Sequence, residues 1–131
     1  MNIQERLDII KNGFSEFEKK DIKDSCYSEV DKSGIERWYN QDHQLHRDND
    51  LPAVTYSDGS KLWYQNGKCH RDNDLPAIIY SNGTQKWFYN GQQHRDNGLP
   101  AIIWFDGSKE WYKNGELHRD NDLPVIINSN G

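Results

Sequence analysis

One short unit is written four times in this chain. His-Arg-Asp-Asn, a variable residue and then Leu-Pro recurs at His46, His70, His94 and His118, each 24 residues after the last. A Trp precedes each copy at a near-constant distance, at Trp38, Trp63, Trp87 and Trp111. A residue present in every copy is first a stacking element of a repeat array. These four Trp and four His are therefore assigned to a structural ladder. One-off catalytic groups must be sought outside the pattern, where little sequence remains. Read from the Gly that opens each unit, the copies span 34–58, 59–82, 83–106 and 107–131. Residues 1–33 precede them as a separate element.

That element reads as an N-terminal α-helical cap. Ile3, Leu7, Ile10, Phe14 and Phe17 form one apolar stripe at helical spacing over residues 1–20. A second short helix or a loop fits 21–33 equally well.

Each unit predicts two strands. The first is Lys61–Tyr64, Gln85–Tyr89 and Lys109–Tyr112 in the later copies. The second is Ala53–Ser57, Ala77–Ser81, Ala101–Phe105 and Val125–Asn128. Asp58-Gly59, Asn82-Gly83 and Asp106-Gly107 join the second strand of one unit to the first of the next, and such pairs are strong hairpin signals. A two-residue loop there sets Ile102 opposite Trp111, Ile78 opposite Trp87 and Val54 opposite Trp63. It also sets Ile103 opposite Glu110, Trp104 opposite Lys109 and Ala101 opposite Tyr112. The expected fold is all-β: an elongated antiparallel meander of about eight strands. Within a unit the connection is longer, passing through Asn66-Gly67, Asn90-Gly91 or Asn114-Gly115 and then the His-Arg-Asp run.

Composition fits a thin core. Hydrophobic residues make up only 34%, yet aromatics reach 12% with five Trp and seven Tyr, more than a disordered chain carries. The net charge of −5 argues against a general nucleic-acid binder, which needs a basic patch. No apolar run is long enough to span a bilayer, and the charged N-terminus does not resemble a secretory signal. Cys26 and Cys69 lie outside the pattern and are read as free thiols in a reducing, cytoplasmic setting.

The order aromatic-aromatic, x, Asn-Gly, x, x, His, strand, Gly resembles the membrane occupation and recognition nexus (MORN) repeat, in particular its variants from bacteria, phages and large DNA viruses. Trp63-Tyr64, Asn66-Gly67, His70 and Gly83 carry the resemblance, with the same set in the next two copies. It covers residues 34–131. It implies hairpin repeats used for scaffolding and protein contact, in the host cytoplasm where the source is a phage or virus. Arg-Asp-Asn-x-Leu-Pro follows the His here, where the common MORN pattern has glycines, so the connection is longer and charged and the implication of lipid contact is weaker.

Several motifs invite other chemistry. His-Arg-Asp opens the protein-kinase catalytic loop, but Ala77 stands five residues after Asp72, where that loop needs Asn. Equivalent His residues should lie roughly 10 Å apart, too far for one ion to bridge. Asp48/Asp50, Asp72/Asp74 and Asp120/Asp122 have the look of calcium-loop pairs, but the third copy has Asn97-Gly98 and no trailing Glu follows. An Asx turn, with each Arg pairing the Asp beside it, is the simpler reading. No catalytic residue, metal or cofactor is assigned to the chain.

The expected function is non-enzymatic: protein–protein interaction along an extended surface. The candidate contact residues are Arg47, Arg71, Arg95 and Arg119, Asp48, Asp72, Asp96 and Asp120, and the rings of Tyr56, Tyr80 and Trp104. One alternative is an inhibitor or antitoxin-like protein that blocks a single enzyme, including a phage or viral protein acting on host defence. Another is a binder of glycans or cationic small ligands through the aromatic ladder. The edge left by Val125–Asn128 predicts either self-association, by edge-strand or end-to-end contact, or a longer native protein.

Overall fold

A computed structural model describes residues 26–130. Among these the chain is all-β, with no helix. The helix expected over residues 1–20 lies outside the described residues. Within 21–33 the expectation of a helix or loop is corrected: Tyr27–Val30 is a strand, β1, paired antiparallel with β2 (Glu36–Tyr39).

From β3 onward the strands are two residues long. They are β3 (Val54–Thr55), β4 (Lys61–Leu62), β5 (Tyr64–Gln65), β6 (Lys68–Cys69), β7 (Ile78–Ile79) and β8 (Gln85–Lys86). The pattern continues with β9 (Phe88–Tyr89), β10 (Gln92–Gln93), β11 (Ile102–Ile103), β12 (Lys109–Glu110), β13 (Tyr112–Lys113), β14 (Glu116–Leu117) and β15 (Ile126–Ile127). Nine of them form one antiparallel sheet in the order β1-β2-β3-β4-β7-β8-β11-β12-β15. The other six form three separate hairpins: β5 with β6, β9 with β10, and β13 with β14.

The expected register is off by one residue. Ile102 faces Glu110 and Ile103 faces Lys109, while Ile78 faces Lys86 and Val54 faces Leu62. The turn explains the slip. Trp104 N–H donates to the Ser108 carbonyl at 2.8 Å, and Gly107 N–H to the Trp104 carbonyl at 2.9 Å. Gly107 is left-handed at φ +91°, whereas Asp106 is not left-handed. The loop therefore has three residues, a type I turn closed by a glycine bulge, and not the two residues of a type I′ turn. The Asp106 side chain helps hold it, accepting the Ser108 N–H at 2.9 Å. True type I′ geometry appears at the other turn, where Asn66 (φ +49°) and Gly67 (φ +83°) are both left-handed and join β5 to β6.

The shift frees the tryptophans from the ladder of cross-strand pairs. Trp63 N–H bonds the Ala77 carbonyl in the main sheet at 2.7 Å, and its own carbonyl accepts the His70 N–H at the hairpin at 3.1 Å. The strand expected over Lys61–Tyr64 is thus split at Trp63, which passes the chain from the sheet to the hairpin. Trp87 and Trp111 repeat both bonds. All three indoles are buried in equivalent settings, whereas Trp38, in the first unit, is half-buried. Around the indoles lie Val54, Ile78 and Ile102, and the alanines Ala53, Ala77 and Ala101, which are 0% exposed. Among the described residues, the buried apolar side chains gather along this narrow seam.

Candidate interaction surface

The His-Arg-Asp loop is where successive units meet. The geometry divides its charged residues into those consumed by stacking and those left facing solvent.

His46 accepts the Asn66 N–H on Nδ1 at 3.0 Å, and His70 and His94 take the Asn90 and Asn114 N–H in the same way. A neutral imidazole has one bare nitrogen and one N–H. The bare one is therefore Nδ1, and Nε2–H donates to the Asp two residues on. Those bonds are 2.8 Å from His46 to Asp48, 2.7 Å from His70 to Asp72, and 2.8 Å from His94 to Asp96 and from His118 to Asp120. His46, His70 and His94 thus tie their own loops to the turn of the following unit. His118 also holds the Asp120 carboxyl below the usual carboxylate range.

The arginines do not pair with the adjacent Asp, as the sequence suggested. Arg71 reaches back 21 residues to grip Asp50 with Nε at 2.9 Å and Nη2 at 3.2 Å, and Arg95 grips Asp74 at 2.8 and 3.1 Å. Each guanidinium also lies over the indole of its own unit. The separations are 4.1 Å for Arg47 over Trp38, 3.8 Å for Arg71 over Trp63, 3.9 Å for Arg95 over Trp87 and 3.7 Å for Arg119 over Trp111. Nη1 of each bonds the Pro carbonyl five residues on. Three of the indoles donate in turn to the previous unit's loop: Trp63 to the Asp50 carbonyl, Trp87 to that of Asp74, and Trp111 to that of Gly98. Stacking, bidentate pairing and burial together make this a joint between units.

The side chains of Arg71 and Arg95 are only 13% exposed, against 69% and 73% for Asp72 and Asp96. Of the proposed contact stripe, then, the carboxylates of Asp48, Asp72, Asp96 and Asp120 face solvent, while Arg71 and Arg95 serve the scaffold. Tyr56 and Tyr80 are exposed; Trp104 is half-buried, with its indole N–H on Glu110. The Lys86 ammonium lies 5.3 Å from the Tyr80 ring and 5.2 Å from that of Trp104, so a cation of the chain itself already sits at this aromatic pair.

Sequence reasoning missed two features. The first is a row of leucines in the same loop position of every unit: Leu51, Leu75, Leu99 and Leu123, exposed by 43, 36, 37 and 48%. The Leu-Pro pair is visible in the sequence, but there it reads only as the end of the connection before the second strand. The second is at the first unit. Cys26 Sγ lies 3.8 Å from Asp48 Oδ2, an acidic neighbour that sequence reasoning did not place there. Ligand atoms of Cys26, His46 and Asp48 lie within 4.8 Å of one another, which brings together three residue types able to hold a metal. The same His–Asp bond occurs in the three later units, whose pairs join no such cluster among the described residues, so its structural role does not depend on an ion. Burial pushes the Cys26 thiol up. The buried Cys69 thiol is pushed up to about 12 by desolvation and packs with Trp63, Ala77 and Ile78.

Comparison with protein-family models, curated proteins and solved structures finds no match. No helix among the described residues is long and apolar enough to cross a membrane.

Proposed function

We propose that this chain is a non-enzymatic, cytoplasmic repeat module of the MORN-variant type that binds another protein along its loop edge. The observation that carries the reading is the exposed leucine row, Leu51, Leu75, Leu99 and Leu123, set one per unit among exposed aspartates. Single exposed apolar side chains are ordinary, but a periodic row on a sequence only 34% hydrophobic is a surface with a purpose. An apolar centre with a charged rim is the usual anatomy of a protein contact, and repeat arrays bind along their stacking direction.

The test uses the full chain as bait in native lysate, beside a Leu75→Ser/Leu99→Ser variant. A single partner should be captured by the parent and lost by the variant at an unchanged melting temperature. Equal capture by a variant that still folds would overturn the assignment of this edge.

A further inference from the structure

The units are near copies, so a junction that departs from its sisters in one functional group is informative. Asp50 and Asp74 each hold the next unit's arginine by two bonds. The equivalent residue in the third unit is Gly98. The rest of that junction is intact. The Trp111 indole donates to the Gly98 carbonyl at 2.9 Å, Arg119 lies 3.7 Å over the Trp111 ring, and Arg119 Nη1 bonds the Pro124 carbonyl at 3.0 Å. The Nε/Nη2 edge of Arg119, which in Arg71 and Arg95 grips the preceding unit's carboxylate, has no carboxylate partner among the described residues.

Space does not force the glycine. Gly98 has φ +70°, close to the +55° of Asp50 and Asp74, and a Cβ built there meets nothing within 4 Å. Charge changes with it. The cleft at Gly98 is lined by three cations, Arg95, Lys113 and Arg119, against two carboxylates, Asp96 and Asp120. The cleft one unit earlier has two cations against three carboxylates, and the one before that has one against three. The balance reverses sign at the one junction that lacks its internal acid.

We propose that the Gly98–Arg119 junction is a carboxylate-binding site whose occupant is an acidic side chain of the partner protein. The two sister junctions supply the bound geometry: a carboxylate in the guanidinium plane, gripped by Nε and Nη2. Stacking on Trp111 fixes that plane in advance, so little ordering is required when a carboxylate arrives. Leu99 lies at the same cleft, so the site and the leucine row are continuous. The occupant rests on the partner-binding reading; the site itself does not.

The experiment titrates the full chain with a tetraglutamate peptide and follows the arginine Nε–H signals by nitrogen-15 NMR. The Arg119 signal should move saturably while those of Arg71 and Arg95 stay in place. Gly98→Asp should abolish the response and raise the melting temperature, because the acid is now internal; unmoved Arg71 and Arg95 signals certify its fold. No saturable shift at Arg119, or an undiminished one in Gly98→Asp, overturns the proposal. Inorganic phosphate is titrated in parallel, and tighter binding of phosphate than of the peptide overturns the assignment to carboxylate. A silent titration with partner capture intact removes this site alone, whereas a saturable titration with capture independent of the leucines removes the edge assignment alone.

Discussion

Ala77 has no exposed surface, and its backbone is bonded on both sides, its carbonyl to Trp63 N–H and its own N–H to the Lys86 carbonyl. A larger side chain there has no room to relax, since neither neighbouring backbone is free to shift. Ala77→Leu should therefore cost about 1–3 kcal/mol, read as a lowered denaturant midpoint. Asp50 gives a pH-dependent counterpart. The Arg71 guanidinium bonded to it holds its carboxyl below the usual carboxylate range, against a smaller opposing effect of burial. The folded value lies below the unfolded one, so the stabilisation is fully present above the unfolded carboxylate range and is lost as pH falls through the folded value. The side chain is half-exposed, which keeps the effect small. Denaturant midpoints measured between about pH 6 and about pH 3 should fall less in Asp50→Asn than in the parent. A parallel fall in both would show that the pair contributes nothing. The pairing itself was hidden in the sequence. Asp72 adjoins Arg71 in the chain, while Asp50 lies 21 residues away, and only stacking of the units brings the second carboxylate to the guanidinium.

At the scale of elements, two glycine-containing turns do different work. Asn-Gly turns supply two left-handed residues and close a two-residue hairpin; their tips dock on the preceding unit, as when Gly91 N–H bonds the Cys69 carbonyl at 2.8 Å. A Cβ at Gly91 would lie 3.6 Å from Lys68 Cβ, with φ at +83°. Backbone conformation, more than space, thus sets the penalty. Gly91→Ala should cost about 1–2 kcal/mol in thermal or denaturant unfolding, and a neutral result would refute type I′ geometry at that tip. The Asp-Gly and Asn-Gly pairs that join units made hairpins legible from the sequence, but not their register. The same dipeptide serves a two-residue turn and a three-residue bulged one. Which is adopted depends on the Asp or Asn side chain capping the N–H two residues on, as Asp58 does for Ser60 and Asn82 for Thr84. That one-residue difference also hid the break at each Trp, because a continuous strand looks the same in sequence as two short ones meeting at a bend. The all-β class and the burial of Trp63, Trp87 and Trp111 were legible because they depend on periodicity alone.

Across the whole molecule, joints of equal design are not of equal strength. The two inner ones carry an Arg–Asp grip, and the last has Gly98 in its place. The last unit is also the more exposed: the His118 side chain is 49% accessible, against 10% for His70 and 13% for His94, and Ile126 is 46% exposed where Ile78 and Ile102 are buried. In a linear array each unit draws its stability from its neighbours. Backbone amides of residues 111–127 should therefore exchange with deuterium before those of residues 61–93, and uniform protection would show that the array opens as a single block. One further property follows from the joints. At each one the indole N–H, the turn's Asn and Gly N–H groups and, where its acid is present, the guanidinium all belong to the later unit. The carbonyls, the imidazole nitrogen and the acid that receive them all belong to the earlier one. A unit is thus a plug on one side and a socket on the other, never self-matching. Excising or inserting a whole 24-residue copy brings plug to socket again, so a gene of this kind can lengthen or shorten by slippage without inventing a new contact.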